Sequence, residues 1–429
     1  MDFSHCEFIT EVPDMSQFQS LRRLLFQGCH NLVKVHDSVG YLSKLVHLDV
    51  SECTNLTSFP HQINMPSLEE LNLRECKSLN YFPHIVGNMD SLTDIYVSET
   101  AIKELPPSVS FENLPSLRAL DLSNCNSLGE IPSNLFTFQN LDYLNLADMQ
   151  PLSGKSFSQL MLENQSVISC TDLQSLGVQY CGPLLDEDLH LILKSFPNLN
   201  KLYVSRSDIE SLPECIKDCA SLERLELDDC NYLRDIPELP PGLPHIRAEN
   251  CTALTKESLG RLWSHQPNRL SSLEIRMPAT TTFPDWFDQC CNGGTLSFRA
   301  REHLPDHLAL AVELGKDYTS RILYFNVSIS INRKIQMRKN PCLFGTTEGH
   351  VVLFGLEMFT DLEEWIMLDK FLTLGWNDVE IEFTSYDQPD MSIVNCGVYV
   401  DKLRTNMKNI QFNSSLKRRA MRKFRPRSS

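Results

Sequence analysis

Apolar residues recur along this chain about every 24 residues, much longer than the period of a helix or a strand. Leu21, Leu24, Phe26 and Cys29 set a register that returns as Leu45, Leu48, Val50 and Cys53, and again as Leu68, Leu71, Leu73 and Cys76. Further copies start at Leu92, Leu117, Leu141, Leu173, Leu199, Leu222 and Leu243, and a partial copy (Phe3, Cys6, Ile9, Val12) precedes them. Intervals between starts are 24, 23, 24, 25, 24, 32, 26, 23 and 21 residues. Inside each copy the alternation Leu-x-Leu predicts a short strand with leucines inward and the x residues outward. One such coil cannot cover its own apolar face, so consecutive coils must stack and share a core.

The predicted fold is an α/β solenoid, a leucine-rich-repeat horseshoe with a parallel β-sheet on its concave face, over residues 1–254. Many coils carry an apolar-Pro step: Phe59-Pro60, Phe82-Pro83, Leu105-Pro106, Ile131-Pro132, Leu212-Pro213 and Ile236-Pro237. Proline lacks an N–H and disfavours helix before it, so the opposite side of each coil should be extended or 3₁₀-like. The ladder breaks between Gln150 and Asp172, which reads either as a tolerated insertion or as a binding loop.

Past residue 254 the pattern changes. Thr255–Gln266 reads as a short helix with Thr255 as N-cap, in a capping and linker segment 255–278. Period-two runs follow, through Leu296 and Phe298, Leu323–Ile331, Val351 and Leu353, Val379–Phe383, and Val398 and Val400. They predict an all-β sandwich over 279–402, with one helix at Thr360–Phe371 opened by a Thr360-to-Glu363 capping box. Trp286 and Phe287 read as core, and adjacent Cys290 and Cys291 as structural or incidental. Residues 403–429 read as a basic, disordered tail. Its stretch 417–427 carries seven basic residues and fits a nuclear-import signal, a patch for anionic surfaces, or a solubilising end.

Eight of the fifteen cysteines (Cys6, Cys29, Cys53, Cys76, Cys125, Cys181, Cys230, Cys251) share one repeat position, where the chain turns inward after the strand. Thr100, Met149 and Ser207 hold it elsewhere. They read as small buried hydrophobes. One cysteine per coil gives no converging metal-ligand spacing, so no metal is expected. Disulfides between coils fit the strand spacing, but the N-terminus lacks the marks of an export signal. The net charge is −16, and residues 401–429 hold ten basic residues against one acidic, so the rest carries −25. That balance argues against a nucleic-acid partner. No apolar run of 18 residues exists, so no membrane span is expected.

The outward strand positions define the candidate binding face. The middle position reads Leu25, Asp49, Asn72, Tyr96, Asp121, Asn145, Gly177, Tyr203, Glu226 and Arg247. Flanking positions add His47, Ser51, Glu70, Arg74, Asp94, Tyr143, Gln179, Lys201, Arg206, Arg224, Asp228 and His245. Tyrosine and arginine carry much of the energy at protein interfaces. The candidate partner-binding residues are therefore Tyr96, Asp121, Tyr143, Asn145, Lys201, Tyr203, Arg206, Arg224, Glu226 and Arg247. Phosphate loops, dinucleotide fingerprints, zinc-protease motifs and nucleophile elbows are missing, so no catalytic residue, cofactor or enzyme activity is expected.

The phrases GCHNLVKVHDSVGYLSKLVHLDVSEC, LRECKSLNYFP and SETAIKELP resemble the repeats of plant intracellular TIR-type nucleotide-binding immune receptors. LPPGLPHIRAENCTAL resembles their last coil. FPDWF, GHVVLFG, WNDVEIEF and VNCGVYV resemble landmarks of the jelly-roll or immunoglobulin-like β-sandwich (C-JID) that follows those repeats. The resemblance covers about residues 1–402. It implies a cytoplasmic protein, with nuclear entry as a further option. It further implies that the module senses a pathogen effector or a guarded host protein and restrains receptor activation, packing in a full receptor against nucleotide-binding and TIR domains. Neither of those domains is in this sequence, whose first coil lacks a cap, and poor solubility alone is expected. The alternatives are a generic repeat scaffold, such as a ubiquitin-ligase substrate adaptor, and an extracellular repeat receptor, faintly suggested by Gly129–Pro132.

Overall fold

The computed structural model describes residues 1–110, 112–129, 133–149, 170–180, 184–265, 272–279, 283, 286–315, 323–339, 345–346, 349–356, 360–385 and 393–412. Most of the Gln150–Asp172 break, Ile131-Pro132, Cys181, Pro284 and the basic stretch 417–427 lie outside them. Two compact units are formed, Met1–Leu222 and Glu223–Ser429. The division falls inside the repeat series, not at residue 254 where the sequence pattern ends.

In the first unit each Leu-x-Leu becomes a three-residue strand. These are β1 (Arg23–Leu25), β2 (His47–Asp49), β3 (Glu70–Asn72), β4 (Asp94–Tyr96), β5 (Ala119–Asp121), β6 (Tyr143–Asn145), β7 (Ser175–Gly177) and β8 (Lys201–Tyr203). Neighbours pair parallel and in register, which aligns Leu24, Leu48, Leu71, Ile95, Leu120, Leu144, Leu176 and Leu202 in one inward column. None of the eight is more than 1% exposed. Truncating any of them to alanine is expected to cost ~2–5 kcal/mol.

A turn with a fixed conformation follows each strand. His5, Gly28, Glu52, Glu75, Glu99, Asn124, Asp148, Tyr180 and Arg206 all have φ between 52° and 69°. This left-handed residue bends the chain inward and places the next side chain in the core. The turn N–H donates to the neighbouring coil, as from Glu52 to Arg74 O (2.7 Å) and from Glu75 to Ser98 O (2.8 Å). The residue that follows is the cysteine of the repeat. The thiols of Cys29, Cys53, Cys76 and Cys125 each donate to a carbonyl of the preceding coil (Phe3, Phe26, Val50 and Val97) at 3.1–3.2 Å. Thr100 uses its hydroxyl on Val97 O at 2.8 Å. No disulfide joins the thirteen cysteines among the described residues.

The far side of the coils carries 3₁₀ turns (Asp37–Tyr41, Ser133–Thr137, Glu214–Asp218) and two-residue strands. One helix departs from the expectation of extended backbone there: α1 (Asp186–Ser195). The 26-residue interval gives room for it, Asp186, Glu187 and Asp188 favour its N-terminal dipole, and Leu189, Ile192 and Leu193 form the buried stripe.

The second unit holds three more parallel strands, β9 (Arg224–Glu226), β10 (His245–Arg247) and β11 (Glu274–Pro278). Thr255 caps α2 (Lys256–Ser264) by accepting from Ser258 N at 3.2 Å. The segment 255–278 is thus more than a cap and linker, because it contains the further coil that ends in β11. Its signal, Leu270-x-x-Leu273-x-Ile275, is present in the sequence.

The rest of the unit contains β12 (Gln289–Asn292), β13 (Thr295–Ala300), β14 (Leu308–Leu314), β15 (Leu323–Ile331), β16 (Lys334–Lys339), β17 (His350–Gly355), β18 (Asn377–Ser385), β19 (Ile393–Val400) and β20 (Ile410–Phe412). One antiparallel sheet runs β12-β19-β14-β17 and joins the parallel strands through β17 on β11. The other runs β16-β15-β18-β13-β20. Between them Leu296, Phe298, Leu310, Ile329, Phe354, Ile381 and Val398 form a common core.

Two expectations need correction. The helix expected at Thr360–Phe371 is present, as α3 (Leu362–Ile366) continued by a 3₁₀ turn (Met367–Phe371), but its cap is Asp361, which accepts from Glu364 N at 2.7 Å. Thr360 instead donates its hydroxyl to Glu364 Oε2 at 2.9 Å. The ordered chain also extends past 402, since β20 pairs with β13 inside the supposed tail.

Candidate protein-interaction face

In the first unit the solvent side of β2–β8 presents four columns of side chains, three from the strands and one from the left-handed turns. They hold eight carboxylates (Asp49, Glu52, Glu70, Glu75, Asp94, Glu99, Asp121, Asp148) against three permanent cations (Arg74, Lys201, Arg206). Four tyrosines stand among them: Tyr96, Tyr143 and Tyr203 on the strands, each half-buried, and exposed Tyr180 in the turn column.

The strongest local arrangement spans β3 to β5. Arg74 lies with its guanidinium carbon 3.8 Å from the centre of the Tyr96 ring, and its Nη2 reaches Asp121 Oδ2 at 3.2 Å. Asp121 is buried and also accepts from Ser123 N (3.1 Å) and Ser123 Oγ (2.7 Å). Tyr96 donates its hydroxyl to Asp94 Oδ1 at 3.2 Å. Burial, with Asp94 beside it, pushes the Tyr96 phenol up to about 12. Burial and then Asp121 also raise Tyr143. Asp121 is therefore a support for Arg74, not a group free to meet a partner, and Arg74 was missing from the nominated set. Its place one coil before Tyr96, on the adjacent column, is the signal that registers this pair.

Further along, Asn145 Oδ1 accepts from Ala147 N at 3.1 Å, and Gly177 lies between Asn145 and Tyr203 in strand register. Lys201 is exposed, and Arg206 lies 3.9 Å from Asp148. An open polar groove of ≈ 700 Å³ runs past the strand starts, lined by Arg118, Asp142, Gln174, Asn198 and Asn200 among others. Its side chains largely stitch coils together: Arg118 clamps Asp142 Oδ2 at 3.0 and 2.6 Å, and Asn140 and Asn198 donate to backbone carbonyls of preceding coils.

The three nominees in the second unit are held by ion pairs of that unit. Arg224 pairs with Glu226 at 3.3 Å, and Arg247 with Asp228 at 2.6 Å. Nearby, buried Arg276 bridges Glu249 (3.3 Å) and Glu274 (2.6 Å), and Asn250 N donates to His350 Nε2 at 2.8 Å. Burial pushes Asp228 up to about 6 in spite of Arg247. For Glu274 burial acts upward too, but His245 and Arg276 outweigh it and hold the carboxyl at about 2. Among the described residues no group of three or more His, Cys, Asp or Glu is placed to hold a metal, and no helix is long and apolar enough to cross a membrane.

Strands stacked in register around a leucine column, each followed by a left-handed turn and several of them by a cysteine, define a leucine-rich-repeat protein, here carrying a β-sandwich. The repeat region matches that of TIR-type plant disease resistance proteins. Residues 63–259 fit the family model for leucine-rich repeats of the disease resistance protein RPS4B-like kind. TMV resistance protein N of Nicotiana glutinosa is 29% identical over 59% of this chain, and disease resistance protein RPP5 of Arabidopsis thaliana 33% identical over 55%. The chain spans 26% and 15% of their lengths. Among solved structures, the functional domain of InlJ from Listeria monocytogenes aligns over 56% of this chain and 63% of its own, at 16% identity and a TM-score of 0.35.

Proposed function

We propose that the chain is the protein-binding module of an intracellular plant immune receptor. It senses a pathogen effector, or a host protein that the effector alters, and helps to hold the receptor inactive until that contact is made. The repeats bind through the strand face of the first unit. The repeats, continued to β11, and the C-JID sandwich, continued to β20, act without catalysis and without a cofactor.

One observation carries this reading: Tyr96, Tyr143 and Tyr203, with Arg74 and Arg206, stand on a single registered face of β3–β8. Such rigid aromatic and guanidinium groups on a solenoid sheet are what a protein partner can bury with little entropy loss. Similarity to named resistance proteins supplies the biological setting.

The test is affinity capture from infected plant tissue with the wild-type chain and with a variant carrying alanine at Tyr96, Tyr143, Tyr203 and Arg206. At least one protein should be held by the wild type and lost from the variant, with the circular dichroism of the two chains unchanged. Identical sets on both chains would overturn the assignment of the face.

A further inference from the structure

Apolar side chains crowd one exposed stretch of the second unit. Between Leu362 and Trp376 six large ones, Leu362, Ile366, Met367, Phe371, Leu374 and Trp376, are each at least 39% exposed. Monomers scatter such residues singly, and a cluster of them marks a surface for contact. Four of the six lie on α3 and the 3₁₀ turn that continues it, and the inner side of that segment is fixed. Trp365 and Leu368 are buried, and Trp365 Nε1 donates to Pro305 O at 3.0 Å. Leu362, Glu363, Ile366, Met367 and Lys370 recur at three- and four-residue spacing on the outer side, and all are exposed.

The charges of the segment select what can cover it. Asp361 caps α3, Glu364 pairs with Lys339, and Asp369 accepts from Leu304 N (2.8 Å) and holds His303 (2.7 Å). Glu363 and Lys370 are left over. Among the described residues neither has an ion-pair partner, and Lys370 Nζ lies 5.1 Å from the centre of the Phe371 ring. Seven residues separate the two, on the order of 10 Å along the helix axis, so they cannot pair with each other. The order of these residues is a palindrome: Leu362-Glu363 at one end answers Lys370-Phe371 at the other, with Ile366-Met367 at the centre. A second copy turned about a two-fold axis through that centre sets Ile366 against Met367, Leu362 against Phe371 and Glu363 against Lys370, each contact being made twice. The left-over charges then neutralise one another across the contact.

We propose that the chain pairs with a second copy of itself through α3 and its 3₁₀ continuation, antiparallel about a two-fold axis between Ile366 and Met367. Leu374 and Trp376 add apolar area toward the size that a stable interface needs, about 800 Å² on each side. No residue of the strand face takes part, so pairing and partner capture can be tested separately.

The test is sedimentation velocity of the full chain from about 1 to 100 µM, the range in which an interface of micromolar affinity assembles. The wild type should pass from monomer to dimer across it. Glu363→Lys and Lys370→Glu each set like charges face to face twice, and each should weaken pairing at least about tenfold. An equimolar mixture of the two single variants should pair again, because every charged contact then joins a lysine to a glutamate. The variant carrying both substitutions should pair for the same reason. Recovery on mixing also excludes misfolding as the cause of the loss. A monomer at every concentration, a dimer indifferent to either reversal, or single variants that stay apart when mixed would overturn the proposal.

Discussion

The guanidinium of Arg74 lies 3.8 Å over the ring of Tyr96, one coil further along, and fixes that ring on the solvent face of the sheet. Its second contact, Asp121 Oδ2 at 3.2 Å, comes from the next coil again, so one side chain ties three strands. Arg74→Ala should therefore change binding more than folding. Arg74 is only partly buried, so the stability loss should stay near ~1 kcal/mol in urea titrations. Retention of the captured partner should fall at least several-fold. Arg74→Lys should not restore it, since an ammonium lacks the planar stack.

The cysteine ladder makes a prediction about reactivity. Burial pushes Cys53 up to about 12, Cys76 well above its ordinary value, and Cys125 upward as well. A thiol-specific reagent at pH 8 should leave these three unmodified in the folded chain and label them only in denaturant. Cys76→Ala removes the bond to Val50 O and leaves a small void, at a cost of ~1–2 kcal/mol. Rapid native labelling of Cys76, read by mass spectrometry, would contradict the packing.

Left-handed turn residues offer a test with an unusual sign. Glu75 sits at φ 57°, where a side chain is strained and glycine is not. It lies 3.7 Å from Lys77, an exposed pair worth little. Glu75→Gly should leave stability unchanged or raise it by up to ~1 kcal/mol, although glycine normally destabilises. Glu75→Val, β-branched at the same φ, should cost more than ~1 kcal/mol. Urea midpoints of the two variants decide it.

In the second unit two carboxylates titrate in opposite senses. Asp228 is raised to about 6 in the folded chain, so its contribution is full only below the ordinary aspartate range and is lost as pH rises through about 6. Glu274 is held at about 2, so its contribution is present above the ordinary glutamate range and is lost as pH falls toward 2. All four tryptophans of the chain lie in this unit, so their fluorescence follows its unfolding alone. The stability of wild type relative to Asp228→Asn should drop by on the order of 2 kcal/mol from pH 4.5 to 7. Relative to Glu274→Gln it should rise with pH across 2 to 5. A flat difference for either variant would show that the buried charges are wrongly placed.

The repeat fold was legible because its constraint is periodic. Leu48 has its equivalent in Leu71 and again in Ile95, so register could be read without any partner strand being known. The coil ending in β11 escaped because its Leu270-x-x-Leu273-x-Ile275 lacks the cysteine that marks the others. Helix α1 escaped because apolar-Pro steps dominate the far side elsewhere. Within the site, outward positions followed from register, but their partners did not. Asp121, Arg224, Glu226 and Arg247 looked free in one dimension and are tied up by Arg74, by one another and by Asp228 in three. In the sandwich, β14 was missed because Leu308–Leu314 is buried along nearly its whole length and so lacks the alternation of a half-exposed strand.

The most direct measurement is hydroxyl-radical footprinting of the chain with and without its captured partner, read at single tyrosines. Docking at the strand face predicts that Tyr96, Tyr143 and Tyr203 lose most of their oxidation in the complex, while Tyr41, exposed on the far side of its coil, keeps its own. Unchanged oxidation of the three strand tyrosines in a verified complex would place the partner elsewhere and contradict the claim.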